Sequence, residues 1–540
     1  MFHQRPNHLF LSKVNIPMCP MRRFIFILNL TLWLLWETAP SAGAQGIDPV
    51  LAARFQLTLD SMRQAGNYRG ASACILYPGM GLWTGVSGVS HPGVSMTPQL
   101  EFGIASNTKL FAGVLLLKLA EAQLLDLDDS LHSYLPAYPN INPNIRIRQL
   151  LNHTSGLYDV TSVPGYPDSI LINPNRLYTP AELMTWAQAP LFAPGTSWNY
   201  CNTNYLLAGM IAESVTGQPF GRLLRDSILT PLQLDSTFLD VYDSIPFAVA
   251  HPWQGGIDNF TVPRRALNSA AWAAGAMYST PTEMVQWYHA LLNGQVVNAA
   301  SLQDMTSFVG SGNYGIGISK VLVSGRTVWT HGGNIWGGYN SSMMYDTATG
   351  AIFAVFVNHV NAQANQFSIR LLNNLVHHPV MRISGSLRYA NASQTPMTSV
   401  GVQLTQNAQV LATDTTTPQG HFDLGLRGQG TYPVQYVNNR PWGGVNATDA
   451  LLILRHFGST ATLTGIYLQA ADVNVSGTVN ATDALLVSRR FTNTINSLPS
   501  GDWIWEVNSL QTVAGGTYSN LVWRCLAAGD VNGSYQPPVN

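Results

Sequence analysis

A repeat near the end of the chain places the strongest constraint on how this sequence can fold. Residues 443–452 (GGVNATDALL) recur 34 residues later as residues 477–486 (GTVNATDALL). Each copy leads into an apolar run that ends at Phe457 or at Phe491, so the repeated unit is predicted to be a loop followed by a helix. A unit of this kind forms its own small module. The 540 residues are also too many for one compact core, which favours several domains.

The spacing of apolar residues before the repeat indicates which segments are helices and which are strands. Residues 45–380 mix helical and strand patterns, and strands are predicted close to both ends of this region. A sheet made from both ends, with helices between them, predicts an α/β (α+β) domain. The predicted strands are residues 71–77, 82–89, 313–323, 326–330, 341–345 and 351–358, with helices at residues 50–62 and 367–376.

The remaining residues are assigned to two smaller modules. Residues 381–437 alternate apolar and polar side chains with a period of two, between Gly and Pro turns, and predict a small all-β sandwich. Residues 438–540 are assigned to the helical repeat module.

The N-terminus predicts export. Met21, Arg22 and Arg23 precede an apolar run at residues 24–36 and a small-residue stretch that ends at Ala44. This run is shorter than the roughly 20 residues that a spanning helix needs. Residues 1–44 are therefore predicted to be a signal peptide, with an over-long start before Met21, and the mature protein is expected to be periplasmic or extracellular without a membrane span.

Charge and cysteine content exclude several classes of function. The 27 Lys and Arg residues balance 28 Asp and Glu residues, and no long run of one sign occurs, so a nucleic-acid partner is not expected. Four cysteines without a CxxC pair indicate neither a cysteine zinc site nor a redox motif. Removing the signal peptide also removes Cys19, which leaves an odd number, so at least one thiol is expected to be unpaired within the chain.

The first candidate for chemistry is Ser106, three residues before Lys109 at the predicted start of a helix. Residues three apart share one helix face, so the serine hydroxyl can meet the lysine amine. The alternative is a capping serine beside a surface lysine. Lysine is scarce in this chain and the pair lies among apolar residues, which favours a buried amine with a lowered pKa that can act as a base.

Two further motifs follow in a definite order. Tyr200 and Asn202 lie between a turn and a predicted helix, and His331 is placed at the end of the strand that begins at Arg326. With Ser106 and Lys109, the chain resembles the penicillin-binding and class C β-lactamase-like serine hydrolases, whose motifs are SxxK, YxN and a KTG or HxG triplet. The resemblance covers about residues 50–378 and includes the stretch at residues 147–157.

The resemblance implies a mechanism and roles for five residues. Ser106 would attack a carbonyl to form an acyl-enzyme, and Lys109 and Tyr200 would share the proton transfer. Asn202 would orient the substrate amide and the Lys109 amine, while His331 would face the substrate's carboxylate or ester end. Backbone N–H groups of Ser106 and Asn334 would hold the oxyanion. No cofactor is expected for catalysis.

The substrate is left open by the sequence. His331 replaces a permanently charged lysine, which weakens the case for β-lactams because histidine is neutral near pH 7. A small-molecule or peptide substrate is expected, and a D-Ala-D-Ala peptidase, a D-amino-acid peptidase and an esterase all remain compatible. The alternative is a catalytically inert binding or scaffold-attached protein on the same fold, although Ser106, Lys109 and Tyr200 are all present.

The second repeat has the oxygen-ligand spacing of an EF-hand-type calcium loop, with a glycine at the sharp turn, Gly477. It resembles a dockerin type I repeat, which implies structural calcium and a protein partner for this module. The first copy has Asn438, Arg440 and Trp442 at its first three ligand positions, and a third loop begins at residues 530–534 without its second half. A simple packed helix pair is the alternative. The proposed ligands are Asp472, Asn474, Ser476, Thr478 and Asp483.

Overall fold

The computed structural model describes residues 47–243, 248–335, 337–406 and 409–538, so the predicted signal peptide lies outside the described residues. The helices are α1 Pro49–Ala65, α2 Thr108–Glu121, α3 Ile147–Leu151, α4 Tyr166–Leu171, α5 Pro180–Met184, α6 Asn202–Thr216, α7 Phe220–Leu224, α8 Arg265–Gly275, α9 Pro281–Leu292, α10 Ala299–Met305, α11 Ala364–Val376, α12 Ala447–Phe457, α13 Gly465–Ala471 and α14 Ala481–Phe491.

The strands of the first region are β1 Gly70–Tyr77, β2 Gly81–His91, β3 Val94–Ser95, β4 Phe102–Gly103, β5 Phe238–Leu239, β6 Trp253–Gln254, β7 Ile257–Asp258, β8 Met277–Ser279, β9 Ser319–Val323, β10 Arg326–Ile335, β11 Tyr339–Asp346 and β12 Ile352–Val357. Those that follow are β13 Met381–Tyr389, β14 Gly401–Gln406, β15 Gln409–Thr415, β16 His421–Arg427, β17 Gly430–Val437, β18 Trp503–Trp505, β19 Ser509–Thr512 and β20 Leu521–Ala527.

A seven-stranded antiparallel sheet organises the first region. Its strand order is β3-β2-β1-β12-β11-β10-β9, so strands from the start and the end of the region pair in the middle, where β1 meets β12. The predicted α/β (α+β) fold is confirmed. The predicted strand at residues 313–323 is shorter than expected: β9 starts at Ser319, and the residues before it form turns around Tyr314.

Helices cover both faces of this sheet. On one face α1 and α11 bury Leu51, Phe55 and Leu371 in one core, and on the other α2, α6, α8 and α9 form a larger core. α2 is buried along most of its length, which is why its sequence is apolar on all sides. A helix of this kind holds its N-terminal residues rigidly, and Ser106 lies in the short 3-10 turn that leads into it.

The β-sandwich draws strands from both sides of the helical repeat. Its sheets have the orders β16-β13-β20-β18 and β15-β14-β17-β19. β20 pairs in parallel with β13, and β19 pairs with β17, so residues 503–527 complete the sandwich although the sequence boundaries placed them in the repeat module. The physical reason is that both β13 and β17 offer an unpaired edge without them.

The repeat forms two matched helices, α12 and α14, which pack together with α13 between them in the chain. They end at Phe457 and Phe491, as the repeat predicts. Asp449 and Asp483 lie in the first turn of these helices, where each closes a capping box with the asparagine three residues before it.

Candidate active site

Ser106 is held on a strained turn between the sheet and α2. The residue before it, Ala105, has a left-handed φ of +49°, which an alanine adopts only when its surroundings impose it. The Ser341 hydroxyl of β11 donates to the Ile104 carbonyl at 2.7 Å and accepts from the Asn107 amide at 2.9 Å. These bonds fix the turn, and with it the position of the Ser106 hydroxyl.

Lys109 lies one helical turn further and is fully buried. Its Nζ is 3.1 Å from Ser106 Oγ, 2.8 Å from Asn202 Oδ1 and 2.7 Å from the Ala274 carbonyl. The predicted proximity of Ser106 and Lys109 is therefore confirmed. Burial lowers the pKa of Lys109 to about 7, although the charge of Asp159 opposes this shift. A lysine with this pKa is neutral in a large fraction of molecules at neutral pH.

The Ala274 carbonyl lies close to a kink in α8. Trp272 has a φ of +34° and a ψ of −122°, which breaks the helix two residues before Ala274. Ala274 is the last residue but one of α8, where carbonyls have no partner within the helix, and its carbonyl accepts from Lys109 instead. The strain at Trp272 is in keeping with the tendency of strained residues to occur at functional sites.

Asn202, the first residue of α6, is oriented by an acidic residue that the sequence analysis missed. Asp159 Oδ2 accepts from both the backbone and the side-chain N–H of Asn202, at 3.1 and 2.9 Å. Since the Asn202 Nδ2 group is engaged there, its Oδ1 atom must face Lys109. Asp159 belongs to a loop without periodicity, so nothing in the local sequence marks it.

These contacts determine which way the lysine amine points. A neutral amine has two N–H bonds and one lone pair. Asn202 Oδ1 and the Ala274 carbonyl can only accept, and they take the two N–H bonds. The lone pair is then left toward Ser106 Oγ, so the arrangement can take the serine proton.

Tyr200 completes the group around the serine. The Ser106 hydroxyl lowers the pKa of the nearby Tyr200 phenol, against the larger effect of burial, and Lys109 Nζ lies 5.0 Å from the centre of the Tyr200 ring. Burial raises the pKa of Tyr200 far above its usual value. The phenol therefore stays protonated, and it suits proton relay better than it suits the role of first base.

His331 is placed differently from its expected position. It lies within β10, which continues to Ile335, because the β10–β11 pairing extends past it. Its Nδ1 donates to the Gly332 carbonyl at 2.7 Å, and its Nε2 accepts from the Tyr314 hydroxyl at 2.8 Å. Burial and the charge of Lys109 lower the pKa of His331 to about 3, so the ring is neutral. Both nitrogens are used inside the protein, whereas the sequence led us to expect one to face the substrate.

A second buried histidine, His153, supports Tyr200 from behind. The two rings lie 4.4 Å apart, and His153 Nδ1 accepts from the Cys201 backbone N–H at 3.2 Å and from the Asn204 amide at 3.0 Å. Burial holds the pKa of His153 well below its ordinary value. His153 falls in the stretch at residues 147–157 that carries the family resemblance, but its spacing alone gave it no role.

A cavity of about 160 Å³ opens beside Ser106. Asn202, Thr161 and Asn334 give its lining polar groups, and most of its other lining residues are apolar. Among the described residues that line it, none is a lysine or an arginine. The apolar wall consists of Leu267, Ala270, Ala271, Ala274 and Ile335.

The loop at residues 472–483 offers oxygen atoms and wraps around its first aspartate. Asp472 accepts the backbone N–H groups of Ser476 at 3.0 Å and Gly477 at 2.8 Å, while Asp483 accepts that of Asn474 at 3.2 Å. Within the described part of the chain no group of three or more His, Cys, Asp or Glu side chains could hold a metal. The donor set nevertheless fits a hard cation, because amide, hydroxyl and carbonyl oxygens add to the two carboxylates.

The chain belongs to the Beta-lactamase family, whose model matches residues 55–376, the region that carries Ser106 and its neighbours. It is therefore a serine hydrolase of the β-lactamase and transpeptidase fold. A second family model, the Dockerin type I domain, matches residues 443–492, which contain both copies of the repeat.

Two solved structures are similar to this region. A D-stereospecific amidohydrolase from Streptomyces sp. is 31% identical and covers 60% of this chain and 97% of its own, with a TM-score of 0.53. The D-amino acid amidase from Ochrobactrum anthropi SV3, complexed with L-phenylalanine, is 27% identical and covers 61% of this chain and 98% of its own, with a TM-score of 0.55.

A curated relative from Bacillus subtilis (strain 168), PbpX, carries a name that places it among the penicillin-binding proteins. It is 26% identical over 286 residues, which are 52% of this chain and 68% of the relative. A relative from Staphylococcus aureus (strain NCTC 8325 / PS 47), named Protein flp, is 31% identical over 207 residues, and this chain spans 40% of its length. Among the described residues, no helix combines the length and the apolar character needed to cross a membrane.

Proposed function

We propose that this protein is an exported amidase that hydrolyses small amides or esters of apolar D-amino acids through an acyl-enzyme on Ser106. The observation that carries the proposal is the arrangement of Lys109, whose two N–H bonds are occupied by acceptors and whose lone pair is left toward the Ser106 hydroxyl.

The proposed reaction has two halves. Ser106 Oγ forms a bond to the substrate carbonyl carbon while its proton passes to Lys109, and the oxyanion is held by the backbone N–H groups of Ser106 and Asn334. The C–N or C–O bond then breaks, and Tyr200 relays the proton to the leaving group. In the second half water attacks the ester carbonyl and gives its proton to Lys109. The bond between the acyl carbon and Ser106 Oγ then breaks, Lys109 returns the proton to Oγ, and the acid leaves.

The charge of the site favours a substrate without a free carboxylate next to the scissile bond. The cavity lining among described residues lacks lysine and arginine, and His331 is neutral and engaged with Tyr314. The acidic Asp159 lies behind Asn202 and favours a substrate with an ammonium group. A D-amino acid amide meets both conditions, and the two similar structures carry names of enzymes with this kind of substrate.

The apolar wall of the cavity sets the side chain of the substrate. Leu267 and Ile335 face a space of about 160 Å³, which suits one apolar side chain better than a peptide. Replacing Ile335 by Ala should weaken the preference for a large apolar side chain. Leu322→Ala on the exposed face of β9 is the matched control and should change nothing.

A substrate panel tests the proposal. We would compare kcat/KM for D-phenylalanine amide, its L-isomer, an acetylated D-Ala-D-Ala dipeptide and a chromogenic cephalosporin. The D-amide should exceed each of the others by at least about tenfold, a discrimination within the reach of a shaped pocket. Preference for the dipeptide or the cephalosporin would contradict the substrate class while leaving the serine chemistry intact.

A catalytically inert binding protein on the same fold is the second candidate. It is disfavoured because the serine, the buried lysine and the tyrosine form one connected network. An inert protein would show no turnover with any member of the panel, although the substrates could still bind.

For the C-terminal region we propose structural calcium in the loop at residues 472–483 and a protein partner of the cohesin class, both on the basis of the dockerin type I match. The matched helices expose apolar side chains at corresponding positions, Leu451 with Leu485 and Phe457 with Phe491. Such a module lets an exported enzyme attach to a scaffold outside the cell.

A further inference from the structure

The first repeat lacks the front half of its calcium loop, and another segment of the chain occupies that position. Residues 530–534 (DVNGS) have the order of the front half in the second repeat, residues 472–476 (DVNVS). They pack against the back half of the first repeat, residues 443–449, where the Val531 backbone N–H donates to Asp449 Oδ1 at 3.1 Å. We call residues 472–483 the contiguous loop, and residues 530–535 with 443–449 the composite loop.

The two loops have the same internal contacts at the first aspartate. In the contiguous loop the Ser476 N–H donates to Asp472 Oδ1 at 3.0 Å and to Asn474 Oδ1 at 2.9 Å. In the composite loop the Ser534 N–H donates to Asp530 Oδ1 at 3.2 Å and to Asn532 Oδ1 at 2.8 Å. The front halves therefore present their oxygen atoms in the same arrangement.

The match continues across the chain break. Ser476 Oγ donates to the Thr478 carbonyl at 3.0 Å, and Ser534 Oγ donates to the Gly444 carbonyl, which has the same loop position, at 3.4 Å. The last aspartate is anchored identically, because the backbone N–H of the capping asparagine donates to its Oδ2 at 2.9 Å in both loops. In the contiguous loop this carbonyl follows the serine in the sequence. In the composite loop the equivalent carbonyl comes from a distant segment that folding brings next to the serine.

The composite loop also brings two carboxyl groups together in the interior. Asp449 and Asp530 are both fully buried, although 80 residues separate them in the chain. Neither forms an ion pair with a lysine, arginine or histidine among the described residues. Both carboxylates accept hydrogen bonds, and Asp530 Oδ2 accepts one from the Tyr389 hydroxyl at 2.5 Å. These neutral donors leave two buried like charges without a counterion among the described residues, and a bound cation would neutralise them.

The sequence alone could not reveal this pairing. Asn438, Arg440 and Trp442 precede the first repeat and are poor ligands, while Tyr535 stands where the third loop would need glycine. In the folded chain Gly443 lies beside Tyr535. Because glycine has no side chain, there is room for the Tyr535 ring, whose nearest atom would be 3.1 Å from a Cβ on residue 443. Each half-loop is incomplete by itself, and together the two halves contain one full set of ligand positions for a calcium loop.

We propose that residues 530–534 and residues 443–449 form a second calcium site, in which Asp530, Asn532, Ser534, the Gly444 carbonyl and Asp449 supply the oxygen ligands. This proposal rests on calcium in the contiguous loop as the template. The site joins the segment that follows the β-sandwich to the first repeat helix, α12. Calcium would therefore close the repeat module and tie it to β20, which ends three residues before Asp530.

Counting bound ions in the full-length protein tests the proposal. Protein stripped with chelator would be titrated with calcium into the millimolar range, the affinity range of extracellular modules, and bound calcium would be measured by calorimetry and by elemental analysis. We expect two ions per chain. Asp530→Asn should reduce the number to one, Asp472→Asn should also reduce it to one, and the double variant should bind none.

The controls separate loss of the site from loss of the fold. Asp423→Asn, which removes an ion-paired carboxylate on the β-sandwich, should still bind two ions. Labelling of Ser106 by a fluorophosphonate should persist in every variant, since the catalytic domain does not contain the loop. Fewer than two ions in the unmodified protein, or two ions retained in Asp530→Asn, would overturn the composite site. An unchanged count in Asp472→Asn alone would instead refute calcium in the contiguous loop.

Discussion

Lys109 can act as a base because its charged form is poorly solvated where it lies. Removal from water lowers its pKa to about 7, and Asp159 partly restores the charged form. The hydrogen bonds to Asn202 and Ala274 then fix where the lone pair points. The pKa of Lys109 and the direction of its lone pair are therefore set by different neighbours, so a substitution can change one without the other.

The pH dependence of acylation should report the pKa of Lys109. The pKa is lowered, so the neutral amine is present above it, and kcat/KM should rise with pH through about pH 7 and then level off. Asp159→Asn removes a charge that raises this pKa, so the rising limb should move to lower pH. Asp128→Asn, which removes the exposed ion-pair partner of Arg148 on α3, is the control and should leave the limb in place. A limb that does not move would mean that Asp159 has no charge effect on the base.

Conservative substitutions distinguish the role of Lys109 as the base from the role of Tyr200 as the proton relay. Lys109→Arg should abolish acylation, because a guanidinium remains protonated and cannot accept the serine proton. Tyr200→Phe should lower the rate by at least about 100-fold, the lower end of general acid–base contributions. Rapid-quench acylation with an activated ester measures both. Near-normal acylation in the arginine variant would show that another group is the base.

At the scale of elements, the site depends on two breaks in regular structure. The turn at residues 105–107 carries Ser106 into α2, and the kinked end of α8 contains the Ala274 carbonyl that accepts from Lys109. Both breaks include a residue with positive φ, Ala105 and Trp272. The surrounding packing imposes these conformations, since neither residue favours them intrinsically.

Replacing each of two alanines by glycine should reveal the backbone strain at the turn that carries Ser106. Ala105→Gly loses a buried methyl group, which costs about 1 kcal/mol, but it relieves a left-handed conformation of similar cost. Its stability should therefore stay near that of the unmodified protein. Ala112→Gly in the middle of α2 loses an equally buried methyl group and also helix propensity, so it should be destabilised by about 2 kcal/mol. Thermal unfolding compares the two, and equal losses would argue against strain at Ala105.

Local patterns explain which parts of the site the sequence could predict. Ser106 and Lys109 share a helix face, so three residues of spacing were enough to place them together. Asp159 lies in a loop without periodicity, and only the folded chain brings it to Asn202. His331 was expected at the end of a strand, but β10 continues past it because β11 pairs with all of its later residues.

At the scale of the whole molecule, the repeat module is inserted into the β-sandwich. Strands β13 to β17 come before the repeat and β18 to β20 come after it, yet they share two sheets. The sequence showed the period of the earlier strands but not their partners, because strand pairing across the inserted repeat leaves no local signal. Calcium at the repeat would thus stabilise an element on which the sandwich also depends.

Truncating the chain after residue 502 should therefore damage more than the repeat. β20 is an interior strand of its sheet, between β13 and β18, so its loss exposes an edge and part of the core around Trp523. We expect limited proteolysis to cut residues 381–437 in the truncated protein and to spare them in the full chain. The catalytic domain should keep its labelling at Ser106. Equal resistance of the sandwich in both proteins would contradict its dependence on the later strands.

The central claim is that Ser106 is the residue that carries the acyl group, and mass spectrometry of the labelled protein tests it most directly. Full-length protein treated with a fluorophosphonate, or with the D-phenylalanine thioester in a rapid quench, should gain one adduct, and the modified peptide should contain Ser106. Ser106→Ala should gain none, whereas Ser341→Ala, which removes the hydroxyl that holds the turn, should still be labelled on Ser106 at a reduced rate. An adduct that persists in Ser106→Ala, or that maps to another residue, would contradict the account.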